Sequence, residues 1–184
     1  LLRTDLTHND IKPHLQEVIN RIFEAVPSGV GRGGLLRTSA SELDRAVVEG
    51  VEWAIKKGFG WAEDNKYIED EGCMENANPD KVSIKAKQRA ASQLGTLGAG
   101  NHFLEIARVA EIYDEHVAKI LGITDVNQIV VWIHTGSRGY GHQIASDYIR
   151  VMEGAAVKYK ISLPDRQLAC APVNSKEGLD YLAG

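Results

Sequence analysis

The sequence predicts a chain that mixes helices with a few short strands, and three observations carry that expectation. Apolar residues recur at helical spacing in long stretches, notably residues 9–26, 39–57, 111–121 and 142–160. Two other runs, Asn101 to Ile106 and Ile129 to His134, are alternating or β-branched and read as strands. The composition, 43% hydrophobic and 25% charged, is that of a soluble globular domain, and no apolar run approaches the roughly 20 residues of a membrane helix.

In chain order, Leu1 and Leu2 look like the end of something already begun. A start on Leu, without the basic start or apolar core of a signal peptide, reads as a piece of a longer protein. Asn9 or Asp10 can cap a helix to about Val26, with Ile11, Leu15, Val18, Ile19, Ile22 and Phe23 on one face. Pro27, Ser28 and Gly29 end it. The run Gly29 to Gly34 satisfies GxGxxG, but it follows a helix rather than a strand, so it is read as a flexible loop. Ser39 and Glu42 have capping-box spacing and open a helix to Lys57, with Gly58 just past its end. Residues 59–80 form an irregular, acid-rich surface excursion in which Cys73 is read as structural or incidental.

From Asp80 to about Ser92 a helix is expected to carry Lys81, Lys85, Lys87 and Arg89. Such a cluster is either a solvated face or a local anion site, while the net charge of −4 argues against indiscriminate nucleic-acid binding. A short helix, Glu111 to Leu121, ends at Gly122; another runs from His142 to about Lys160. An apolar segment around Leu168 to Ala171 precedes a last helix, capped by Asn174 with Glu177. The two cysteines, Cys73 and Cys170, lack CxxC spacing, which suggests neither a zinc knuckle nor a disulfide framework and leaves a reducing cytoplasm as the default.

The chemistry concentrates in two glycine-rich units. In LGTLGAGNHFLEI, Gly95, Gly98 and Gly100 make a loop that lets backbone approach a ligand and delivers Asn101 and His102 into an alternating run. Period 2 puts His102, Leu104 and Ile106 on one face and Asn101, Phe103 and Glu105 on the other. In the second unit IVVWIH reads as a buried strand ending on His134, just before TGSRGYGHQ. Two histidines on rigid strands beside pliant loops suit a catalytic metal, although such a centre usually needs three or more protein ligands; core or surface histidines are the bland alternative. Arg138 sits at a helix start rich in backbone N–H groups, which suits phosphate oxygens, the alternative being a solvent-facing arginine in a tight turn.

These two motifs, together with LLRT, PSGVG, GCMENANPDKVS and LACAPVNSKEGLDYL, resemble the RtcB family of RNA-splicing ligases along essentially the whole chain. The resemblance implies a mixed α/β (α+β) fold, of which residues 1–184 would be the central part of a single catalytic domain, with a cleft for two manganese ions and GTP. The implied activity is the joining of RNA ends bearing a 2′,3′-cyclic phosphate or 3′-phosphate to 5′-hydroxyl ends, through a guanylylated enzyme, in tRNA splicing or RNA repair in the cytoplasm. Its partners would be RNA, as tRNA exon halves or broken ends, with an archease-type activator as a further candidate and no membrane.

By the same resemblance His102 and His134 match metal ligands, and Asn101, His102, Phe103 and Glu105 match positions of the guanylate site. Arg89 and Arg138 match arginines that hold RNA phosphates. The family's Asp and Cys metal ligands, its third metal histidine, its guanylylated histidine and a late lysine have no counterpart in these residues, which alone are not expected to complete the reaction. Manganese comes from the resemblance only, since two histidines by themselves favour zinc or copper. Two other readings stay open: a metal-dependent phosphoesterase, needing no GTP, and a non-catalytic RNA-end binding module.

Overall fold

The computed structural model describes residues 1–29, 33–36 and 38–184. In chain order the elements are β1 (Leu2–Thr7), α1 (His8–Ile11), α2 (Leu15–Ala25), α3 (Ala40–Glu49), α4 (Val51–Lys56), α5 (Ile84–Ala90), β2 (Phe103–Arg108), α6 (Glu115–Ile120), β3 (Gln128–His134), α7 (Arg138–Lys158) and α8 (Lys176–Ala183). The fold is mixed α/β, as expected. Val30, Gly31 and Arg32, inside the GxGxxG match, lie outside the described residues. The chain divides into two compact units, Leu1–Leu35 with Gly95–Gly136 and Leu36–Leu94 with Ser137–Gly184.

The first unit is built on a sheet of order β1-β3-β2, with β3 antiparallel to both neighbours. Strand β1 was not legible as one, because LRTDLT alternates poorly and its register against β3 shifts between Arg3 and Thr7. Side chains support the ladder there. The Thr4 hydroxyl donates to the Ile129 carbonyl at 2.6 Å, and the buried Gln128 amide donates to the Thr4 carbonyl at 2.8 Å while accepting from the Thr124 N–H at 2.9 Å. Both ends of that amide are satisfied, as burial demands.

Strand β3 is buried only in its first half. Ile129 and Val130 are 4% and 6% exposed, but Trp132 and Ile133 are 50% and 40% exposed, because β1 flanks β3 only as far as the Leu2–Val131 pair. The expected helix from residue 9 to 26 is also interrupted. Pro13 lacks an N–H and sits in a 3-10 turn, Lys12–His14, that separates α1 from α2. Its cap lies earlier than expected, at Thr7, whose N–H and hydroxyl both donate to the Asp10 carboxylate at 2.8 and 2.6 Å. Helix α6 is short, capped by Asp114, and ends before Gly122 at φ +72°.

In the second unit the Ser39 and Glu42 capping box forms as expected and opens α3. The helix does not continue to Lys57, because Gly50 adopts φ +59° and divides it into α3 and α4. A Cβ at residue 50 would overlap the Gly72 carbonyl oxygen, so this break seats the chain against backbone. Leu43 and Trp53 are buried, while Trp61 and Tyr67 in the irregular segment are 77% and 86% exposed. Helix α5 starts at a Ser83 cap, and its Ala86 packs with Val82, just ahead of the cap, against Ile144 of α7, flanked by Tyr140 and Tyr148. Helix α7 begins at Arg138, ahead of the expected start at His142. The cap of α8 is Ser175 rather than Asn174; Glu177 instead takes hydrogen bonds from Lys158 at 2.7 Å and the Tyr159 hydroxyl at 3.0 Å.

Candidate functional site

Within the first unit the glycine loop is held by groups distant in sequence. Leu97 N–H donates to the Pro27 carbonyl at 2.9 Å, Gly29 N–H donates to the Gly98 carbonyl at 2.7 Å, and the Thr135 hydroxyl donates to the Leu97 carbonyl at 2.6 Å. The Pro27–Gly29 turn and the loop after β3 therefore clamp the loop that presents Asn101 and His102. Such fixing limits the reorganisation a ligand would otherwise have to impose.

The loop ends one residue before β2, and that offset changes the predicted geometry. Phe103 pairs directly with His134, and Glu105 with Trp132, so Phe103, Glu105, Trp132 and His134 share one face of the sheet. His102 precedes the strand and escapes its alternation. Instead of pointing away from the Phe103 and Glu105 face, its ring meets that of His134 edge to face, with centroids 6.0 Å apart at 77°. Phe103 packs on the other imidazole as well, 5.3 Å from His134 at 79°. Asn101 lies in the turn just before, exposed like Glu105.

Imidazole nitrogens brought this close could serve as two of the donors a metal ion needs. Gly136, in the loop after β3, lies against the same ring: a Cβ there would stand 3.6 Å from His102 Nε2. Nitrogen donors of this kind suit a borderline divalent cation. The donor set is nevertheless incomplete: among the described residues no group of three or more His, Cys, Asp or Glu side chains could hold an ion.

The predicted arginines belong to the second unit, Arg138 at the start of α7 and Arg89 on α5. Arg138 opens the helix at φ +53°, a left-handed conformation that a residue with a Cβ adopts only under local constraint. Arg89 reaches it from α5, its side chain crossing Gly139, where a Cβ would come within 3.0 Å of Arg89 Nε. The Gly139 N–H donates to Gln93 Oε1 at 2.8 Å, so a side chain satisfies one of the first N–H groups of the helix. Arg89 Nη1 contacts His142 Nδ1 and donates to Gln143 Oε1, both at 3.1 Å.

The basic stretch is not one open anion site. Lys81 pairs with Asp180 and Lys87 with Asp44, each at 2.8 Å, and the Lys87 side chain is only 14% exposed. Those lysines neutralise carboxylates of their own unit. The sequence reading missed Gln93, His142 and Gln143 as partners of this corner. Gln143 and Asp147 carried a usable signal, being polar residues one turn apart on the otherwise buried stripe of α7 that includes Ile144 and Met152.

A family model described as tRNA-splicing ligase RtcB matches residues 1–184. Proteins named tRNA-splicing ligase RtcB are 55% identical in Pyrobaculum aerophilum over 99% of this chain, and 54% identical in Methanococcus maripaludis over 98% of it. In Methanocaldococcus jannaschii the identity is 52% over 98% of the chain. The chain spans 38% of the length of the first two relatives and 19% of the third.

Proposed function

The chain belongs to the RtcB family, and on that premise we propose that the whole protein is a GTP- and manganese-dependent RNA ligase. It joins RNA ends bearing a 2′,3′-cyclic phosphate or 3′-phosphate to 5′-hydroxyl ends, and residues 1–184 form the central part of its catalytic domain. The observation that carries the reading is the meeting of His102 and His134, the two histidines of the glycine units, at 6.0 Å beside Phe103 and Glu105. RNA ends, as tRNA exon halves or broken strands, are the substrates. The work is done in the cytoplasm, in keeping with two free cysteines, and an archease-type activator is the candidate partner. Among the described residues no helix is long and apolar enough to cross a membrane.

Each named residue has a physical task in this reading. His102 and His134 would supply two of the ligands of a manganese site. A divalent ion held there would supply positive charge to phosphate oxygens. Phe103 packs against the His134 ring and keeps that imidazole in one orientation. Glu105, exposed on the same face, accepts hydrogen bonds from the N–H edge of guanine, and Asn101 hydrogen-bonds the nucleotide from the preceding turn. Arg89 and Arg138 hold RNA phosphates through charge-assisted bonds.

Covalent labelling of the full-length protein with GTP radiolabelled in the α-phosphate, with manganese present, tests the proposal. A GMP adduct that is discharged on adding 3′-phosphate RNA, with sealing to a 5′-hydroxyl strand, is the expected result. Phosphate release without labelling identifies a metal-dependent phosphoesterase. RNA-end binding with neither reaction identifies a binding module.

A further inference from the structure

Gln143 is a polar residue only 5% exposed, and nothing in the ligation reading so far uses it. Its amide is satisfied at both ends. Oε1 accepts from Arg89 Nη1 at 3.1 Å, and Nε2 donates to Asp147 Oδ1 at 2.8 Å, one turn along α7. The second carboxylate oxygen of Asp147 accepts from the Ser83 hydroxyl at 2.6 Å. Ser83 Oγ in turn accepts the Ala86 N–H at 3.2 Å, capping α5, the helix that carries Arg89. Hydrogen bonds from Ser83 first and Gln143 second hold the Asp147 carboxyl below its ordinary range, so it remains an acceptor anchoring the far end of the amide. The chain of bonds therefore starts at the Arg89 guanidinium and returns to the helix that bears it.

His142 completes the arrangement from the exposed side. A guanidinium can only donate, so the 3.1 Å contact between Arg89 Nη1 and His142 Nδ1 makes that nitrogen an acceptor. Both protons of Nη1 thus go to acceptors on α7. The Nε and Nη2 protons make up the opposite edge of the plane, which matches two oxygens of one phosphate.

We propose that Gln143, seconded by His142, is a positioning residue that fixes the Arg89 guanidinium so that its Nε and Nη2 edge faces an RNA phosphate. This rests on the assignment of Arg89 to RNA made above. It adds that the orientation of the plane, and not only its charge, is set by a buried amide tied through Asp147 to Ser83.

The test is a double-mutant cycle in the full-length ligase, with KM for a 3′-phosphate oligonucleotide measured separately from kcat. Gln143→Leu removes the acceptor and keeps a buried side chain of similar size; it should raise KM roughly tenfold, in the range of a hydrogen bond to a charged group. Gln143→Glu retains an acceptor for Arg89 but loses the donor to Asp147 and sets a second carboxylate against it, so it should recover only part of that loss. On an Arg89→Ala background, Gln143→Leu should cost nothing further, because the group it orients is gone. A loss as large on that background as on wild type overturns the positioning role and leaves a structural tie between α5 and α7. An Arg89→Ala protein with normal KM for RNA overturns the assignment of Arg89 itself and the inference with it, and the two failures are told apart by that single variant. If Gln143→Leu does not fold, His142→Ala, at an exposed position, carries the same cycle.

Discussion

His134 stands directly across the sheet from Phe103, ring against ring at 5.3 Å, and the same imidazole meets His102 at 6.0 Å. One strand end thus gathers an aromatic ring and two potential metal ligands. His102→Ala or His134→Ala in the full-length protein should abolish sealing and lower manganese affinity, since a site that loses one imidazole loses its geometry. Manganese titration followed by electron paramagnetic resonance, alongside a sealing assay, checks this; normal stoichiometry and activity in both variants would refute the metal assignment.

Glu105 lies on the same face, paired across the strands with Trp132. Glu105→Gln keeps the shape of the side chain but removes its charge, so GTP affinity should fall about tenfold through the loss of charge-assisted acceptance. Manganese affinity should stay unchanged. Calorimetric GTP and manganese titrations on the same variant separate the two effects.

Arg89 and Arg138 make a contrasting prediction. Replacing either by Ala should leave self-guanylylation near normal, because that step involves no RNA, while weakening RNA-dependent steps roughly ten- to a hundredfold. Arg→Lys should restore only part, since lysine keeps the charge without the planar fork. Guanylylation and sealing measured side by side decide the matter: an equal fall in both would mean that these arginines serve GTP or the fold.

Gly50→Ala should destabilise the protein by more than about 2 kcal/mol, combining left-handed backbone strain with an overlap against fixed backbone. The residue sits at φ +59°, and the added Cβ would meet the Gly72 carbonyl. Gly58→Ala is the matched control, at φ +83° but with nothing near its Cβ, and should cost less. Denaturant unfolding of the two variants measures the difference.

Glu177 gives a prediction in pH. The Lys158 ammonium donating to it is the leading cause that lowers its carboxyl from the ordinary 4.5 to about 2. A depressed carboxyl contributes stability above its unfolded value, and that contribution fades as pH falls toward the folded one. The stability gap between wild type and Glu177→Gln should therefore be open at neutral pH and close between about 4.5 and 2. Denaturant unfolding across that range measures it, and a gap that stays constant would refute the coupling.

Much of this protein is written in local pattern. The Ser39 and Glu42 box, the two strand runs and the two glycine units with their histidines could be read directly, because capping, alternation and glycine-rich turns depend on neighbours within a few residues. The family resemblance too is a matter of linear motifs. Pro13 was also in plain view, and the helix break at it should have been expected.

What the tertiary structure alone decided are relationships between distant segments. Alternation places Phe103 and Glu105 on one face, but only the pairing with β3 brings His134 and Trp132 to it, and starting β2 at residue 103 releases His102 from that alternation to meet His134. Gly50 breaks a helix because the Gly72 backbone lies against it, which no window around residue 50 contains. The clamp from Pro27 and Gly29 onto the glycine loop, and the path from Ser83 through Asp147 and Gln143 to Arg89, are hydrogen bonds between segments far apart in sequence. Local propensity decides what each segment can become, whereas burial decides which polar groups must find partners, and only the folded chain supplies them.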